Sequence, residues 1–106
     1  MIFRNKTFTR QNFWIINMFY FVYVLFSRKD KGLYTGFTDN LKRRIKEHNQ
    51  GLVVSTKNRR SLELIYFEGY KDKKTTQDRE KYLKTGWGRN YLNKVLDDYS
   101  KNNPKI

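Results

Sequence analysis

The sequence predicts an α/β protein of the α+β kind, a three-stranded antiparallel sheet flanked by helices, in the order β-β-α-β-α-α. Three observations lead there. Residues 19–26 and 33–37 are rich in aromatic and β-branched residues and are separated by the turn signal Lys29-Asp30-Lys31-Gly32, so they read as a hairpin whose strands must be antiparallel. A third run of the same kind spans residues 62–70. Elsewhere apolar residues recur at helical spacing, most clearly Tyr91, Leu92, Val95, Leu96 and Tyr99.

Taken in chain order, residues 1–17 read as an extension outside the domain proper, which opens at Met18. They carry Arg4, Lys6 and Arg10 with no acid, and then lead into an almost wholly apolar run over 13–26. A basic stretch before an apolar run imitates a secretory signal, but the run is too short for a membrane span. It is followed by Ser27-Arg28-Lys29-Asp30 rather than by a small-residue cleavage site. After the hairpin, Thr38-Asp39-Asn40 offers helix-capping side chains, Leu41 and Ile45 form an apolar stripe, and Gly51 is a stop, which predicts a helix over 40–49. Residues 53–61 read as irregular and basic. Beyond the third strand, 71–74 reads as a charged turn, 75–85 as a helix broken by Gly86-Trp87-Gly88, and 89–99 as an amphipathic helix whose stripe belongs to the core. The polar tail 100–106 contains Pro104 and is expected to fray. The domain is thus expected over 18–99.

Composition limits the chemistry. The chain has 23 Lys and Arg against 10 Asp and Glu, a formal charge of +13. Without residues 1–17 there remain 20 basic and 10 acidic residues, still +10. Such a surface attracts polyanions and releases their counterions, so nucleic acid is the first partner to expect and an anionic membrane surface the second. No cysteine is present, which excludes disulfides, thiolate metal sites and cysteine nucleophiles and suits a reducing cytoplasm. A single histidine excludes multi-histidine zinc sites. Aromatic residues make up 17% of the chain, enough both to fill a small core and to stack on bases.

The residues able to do chemistry fall in an ordered series. Phe21-Val22-Tyr23 is followed after ten residues by Tyr34-Thr35-Gly36. Then come Asp39-Asn40-Leu41-Lys42-Arg43-Arg44, His48-Asn49, the patch Ser55-Thr56-Lys57-Asn58-Arg59-Arg60, and Arg79-Glu80-Lys81-Tyr82-Leu83-Lys84. From about Met18 to about Tyr91 this series resembles the GIY-YIG nuclease family, and most of all its small standalone bacterial members. Phe-Val-Tyr stands where the family has Gly-Ile-Tyr, and Tyr-Thr-Gly where it has Tyr-Ile-Gly; both tyrosines and the second glycine are kept.

The resemblance implies a three-stranded antiparallel sheet with helices and a divalent-metal-dependent endonuclease that hydrolyses phosphodiester bonds in DNA. It implies catalytic roles for Tyr23, Tyr34, Arg44 and His48, with one tyrosine helping to activate the attacking water. It also implies close backbone approach at Gly36, and Glu80 as the carboxylate holding one Mg²⁺ or Mn²⁺. Lys57 falls near a position that is often basic or polar in the family. A late asparagine is also frequent there, and neither Asn90 nor Asn93 is assigned to it by spacing.

Physical chemistry supports these roles separately. Charge that builds on phosphate oxygens must be relieved, and a guanidinium fork suits phosphate. Mg²⁺ is often held by only one or two protein carboxylates. Arg44 and His48 are four residues apart and so share one helix face. The basic residues Lys42, Arg43, Lys46, Lys57, Arg59 and Arg60 are expected to follow a phosphate backbone.

Each residue also has a plain reading. Tyr23 and Tyr34 are compatible with ordinary cross-strand packing, Arg44 with solvated charge, His48 with a surface or capping role, and Glu80 with a helical pair to Lys84. Two other functions fit the composition. One is a nucleic-acid-binding module of the same fold that does not cut. The other is a peripheral membrane protein using the basic face and the run over 13–26. Arg44 and Glu80 occurring together favour cutting, because binding needs no isolated carboxylate.

Overall fold

A computed structural model describes residues 18–104, so the extension over 1–17 lies outside the described residues. The elements are β1 (Tyr20–Ser27), β2 (Leu33–Thr38), α1 (Leu41–Asn49), a 3-10 turn (Lys57–Arg59), β3 (Leu62–Tyr70), α2 (Lys73–Leu83) and α3 (Gly86–Asn102). The sheet is antiparallel throughout, in the order β2-β1-β3.

β1 takes the centre because its sequence is apolar without alternation, as a strand covered on both faces must be. Phe21, Val22, Tyr23, Val24 and Leu25 are wholly buried. Phe21, Tyr23 and Leu25 point into one layer with Leu41 and Leu62, against which Ile45 and Tyr34 pack. Val22 and Val24 point into the other, with Leu83 of α2 and Leu92 of α3. A bulge between Val24 and Leu25 gives β3 one extra residue, Ile65. Leu64 and Phe67 therefore join the first layer while Ile65 and Tyr66 join the second. The part of the 13–26 run that the structure describes is thus core strand, and among the described residues no helix is long and apolar enough to cross a membrane.

The connections follow local chemistry. In the β1–β2 turn Lys31 takes a left-handed backbone (φ 63°), and the Asp30 carboxylate accepts from the Gly32 amide at 2.8 Å. Asn40 caps α1 by accepting from the Arg43 amide at 3.0 Å. The helix ends at Gly51 (φ 78°), where the Gly51 amide donates to the His48 carbonyl and the Leu52 amide to the Glu47 carbonyl. α2 begins at Lys73, two residues earlier than the 75 expected, because Asp72 caps it through the Thr75 amide at 2.7 Å.

The third helix departs furthest from the sequence reading. It begins at Gly86 and runs to Asn102 rather than occupying 89–99. Gly86-Trp87-Gly88 does separate two helices, but as the first turn of α3, with Thr85 as its cap accepting from the Gly88 amide. Gly88 has a steric reason: a Cβ there would lie 2.3 Å from the Tyr82 carbonyl oxygen and 2.4 Å from the Leu83 Cα. The first three residues of the expected tail, 100–102, are helical, and a hydrogen bond from Tyr99 to Glu63 ties α3 back to β3.

α2 is fixed to the sheet by a polar knot in the second layer. Arg79 donates to both oxygens of the buried Glu68 carboxylate at 2.8 and 3.0 Å, and Tyr66 and Tyr70 donate to it at 2.5 and 2.6 Å. Burial alone would raise the Glu68 carboxyl, but these donors outweigh it and hold the group down at about 2.

Because the strands, helices and caps described above are all built from residues after Met18, a chain beginning at Met18 is expected to unfold cooperatively at nearly the parent temperature. Calorimetry of the two chains checks this, and loss of the cooperative transition in the shorter one would place the extension in the core.

Candidate active site

Tyr23 lies at the middle of β1 in the first layer, directly opposite Gly36 on β2. The pairing explains the glycine. A Cβ at position 36 would lie 2.4 Å from both Cζ and the hydroxyl oxygen of Tyr23, so only a residue without a side chain leaves room for the phenol. Two residues along β2, Tyr34 emerges on the same face, with its ring 6.4 Å from that of Tyr23.

Helix α1 covers this face. Its buried stripe carries His48, and the same turn carries Arg44. The Tyr23 hydroxyl lies 2.7 Å from His48 Nε2, and His48 Nδ1 lies 2.6 Å from the Oγ1 of the fully buried Thr56. The Arg44 guanidinium lies against the Tyr23 hydroxyl and is also paired with Glu47 at 3.2 Å. Tyr23, His48 and Thr56 thus form one continuous hydrogen-bonded chain through the imidazole, whose tautomer sets the donor directions.

The electrostatics agree. Burial, and then the positive charge of Arg44, push the His48 imidazole down to about 4, so it is neutral at physiological pH. Burial raises Tyr23 to about 12; Arg44 opposes that rise, while Tyr34 and Glu80 add to it. Arg44 is itself raised, first by its hydrogen bond to Tyr23. Tyr34, Arg44 and His48, from β2 and α1, thus surround the Tyr23 phenol of β1, and the negative charge of Glu80 on α2 adds to the rise of its pKa.

Glu80 forms the helical pair with Lys84 that the spacing predicts, at 3.0 Å, with about a fifth of its side chain exposed. Among the described residues no three His, Cys, Asp or Glu side chains gather as a metal cage. A single, partly exposed carboxylate fits an ion that keeps most of its waters and takes its remaining ligands from a phosphate, as Mg²⁺ does.

The expected phosphate-contacting residues are not equally free. Lys42, Lys46 and Lys57 are exposed. Arg43 is paired with Asp39 at 3.0 Å and reaches Glu47 at 3.8 Å. Arg59 binds Asp30 through Nε at 2.5 Å and Nη2 at 3.1 Å, which holds the Asp30 carboxyl far below the usual carboxylate range. Arg60 donates from Nε to the Lys57 carbonyl at 2.8 Å and lies over Gly51. Arg59 and Arg60 thus shape the loop behind the site. Thr56 is the residue that sequence reasoning left without a role; nothing in the chain marks a threonine as the partner of a histidine eight residues earlier. Asn93 lines a groove together with Tyr34, which the spacing alone did not suggest.

His48 gives a stability signature. An unfolded imidazole titrates near 6.5 and the folded one near 4, so between those values the unfolded chain binds more protons and folding weakens as pH falls. The loss starts near pH 6.5 and is complete below about 4, and amounts to on the order of 3 kcal/mol. His48→Gln should remove this dependence. Urea midpoints of both chains at pH 7.5 and 5.0 test it, and equal pH sensitivity in the two would show that His48 is not the group responsible.

A sheet ordered β2-β1-β3, with one tyrosine on each of β1 and β2, an arginine on α1 and a carboxylate on α2, is the arrangement that the resemblance implies. The sequence model of the GIY-YIG catalytic domain matches residues 19–93, and the chain belongs to the GIY-YIG family. It is similar to a UPF0213 protein of Clostridium perfringens, 46% identical over 65 residues that make up 60% of this chain and 69% of that one. It is 47% identical to a UPF0213 protein of Lactiplantibacillus plantarum over 57 residues, 51% of this chain and 55% of that one. A UPF0213 protein of Staphylococcus haemolyticus is 40% identical over 67 residues, 62% of this chain and 80% of that one. No solved structure matches.

Proposed function

We propose that this chain is a divalent-metal-dependent endonuclease of the cytoplasm that hydrolyses phosphodiester bonds in DNA. The observation that carries the reading is the 2.7 Å contact between the Tyr23 hydroxyl and a neutral His48, on a phenol that also feels the charges of Arg44 and Glu80. A buried phenol with a raised pKa is a poor base alone. Coupled to a neutral imidazole it becomes a relay: the attacking water gives a proton to the Tyr23 oxygen as the phenol proton passes to Nε2. The water oxygen bonds to phosphorus as the bond from phosphorus to the leaving sugar oxygen breaks. Arg44 offsets charge on the phenol oxygen and on the phosphate. Glu80 would hold Mg²⁺ or Mn²⁺, which when bound supplies Lewis-acid polarisation of the phosphate. Tyr34, half-buried on the same face, orients the substrate or its water, and Lys42, Lys46 and Lys57 meet the flanking backbone.

The test is incubation with a panel of linear and branched DNAs, with Mg²⁺ or Mn²⁺ and with chelator. Metal-dependent cutting of any of them is the expected result. Binding without cutting under every condition would replace this reading with a nucleic-acid-binding module of the same fold.

A further inference from the structure

A groove of about 440 Å³ runs along the open edge of the sheet, between β2 and the α2–α3 junction. Its apolar lining comes from Leu33, Leu83, Leu92 and Leu96, and its cations are Lys31, Lys84 and Arg89. Tyr34 lines it too, and Lys84 is the residue paired with Glu80, so the groove is continuous with the candidate active site. Lys31 and Arg89 are exposed and form no ion pair among the described residues, in contrast to Arg43 and Arg59, which are bound to carboxylates.

We propose that this groove is the seat of a single nucleic-acid strand flanking the scissile bond, so that the preferred substrate carries an unpaired segment there. The inference rests on the nuclease reading and adds the form of the substrate. An apolar floor beneath a basic rim matches one nucleotide, whose base or sugar is buried while its phosphates meet the cations. At about 440 Å³ the groove has room for about one nucleotide and not for the two strands of a duplex.

The test uses the intact chain with chelator present, so that cutting plays no part. Fluorescent oligothymidine, a duplex with a single-stranded flap, and a blunt duplex of equal length serve as probes. The variant is Lys31→Asn with Arg89→Ala; asparagine tolerates the left-handed backbone at position 31. The control removes two cations at the other end of the sheet, Lys71→Ala with Lys74→Ala.

The groove variant is expected to bind oligothymidine and the flap at least about tenfold more weakly, with blunt-duplex affinity changed less than about twofold. Its salt slope for oligothymidine should fall by about 1.4, from two lost phosphate contacts. The control should leave all three probes near parent affinity. Equal weakening by both double variants would show general charge rather than a site and would overturn the proposal. So would a parent that binds blunt duplex but not oligothymidine, and in that case the nuclease reading survives. A parent that binds none of the probes removes the nuclease reading and this inference together.

Discussion

Glu80→Gln should leave a protein that melts near the parent temperature, still binds DNA, and cuts at least about a hundredfold more slowly. The side chain is partly exposed and its pair with Lys84 is an i,i+4 contact on a helix, worth only a few tenths of a kcal/mol. Glutamine keeps the size and the helix, and it removes the charge that a divalent ion needs. A hundredfold loss corresponds to about 2.7 kcal/mol of transition-state stabilisation, a modest share of what Lewis-acid polarisation supplies. Isothermal titration with Mn²⁺ separates causes: the variant should lose the binding isotherm, whereas Arg44→Ala should cut as poorly while retaining it. Equal cutting by parent and Glu80→Gln would show that the Glu80 carboxylate is structural.

The sequence and the structure agree where local chemistry decides. Strand β3 occupies residues 62–70 as expected, and the first helix starts within one residue of its predicted position because Asn40 and Gly51 are local signals. Tyr23, Tyr34, Arg44, His48 and Glu80 are candidates through the resemblance, and spacing adds only that Arg44 and His48 share a helix face. The Thr56–His48 hydrogen bond was not legible, because it depends on a loop returning beneath α1.

Charge was the weakest guide. Arg59 reads as one of a row of cations, yet its partner Asp30 lies 29 residues away across the hairpin turn. Glu68 has no role in the sequence reading, yet the fold buries it. Tyr66 and Tyr70 share its face, and Arg79 arrives from α2 to complete a buried network. Periodicity reports faces, but it does not report which opposite charge a fold will bring to them.

Gly36→Ala should damage stability and cleavage together. The new Cβ would meet Cζ and the hydroxyl oxygen of Tyr23 at 2.4 Å, far inside contact distance, and Tyr23 is wholly buried with His48 behind it. The phenol must swing away, which breaks the hydrogen bond to Nε2 and moves the oxygen from Arg44. Overpacking of this kind costs about 1–3 kcal/mol, so the unfolding free energy obtained from urea titration should fall by that amount. Cleavage should fall at least about a hundredfold in the fraction that remains folded, since a displacement near 1 Å at a reacting group has that effect.

Tyr23→Phe separates the two consequences. It removes the hydroxyl without the clash, so it should cut as poorly as Gly36→Ala while losing less stability. Adding Gly36→Ala to Tyr23→Phe should then lower stability further but leave the residual cleavage nearly unchanged, because the two substitutions disable one relay. Full cleavage by Gly36→Ala would show that the ring moves without consequence and that the phenol oxygen is not where the chemistry occurs. Full cleavage by Tyr23→Phe would pass the role of base to another group on the same face, and Tyr34 would be the next residue to replace.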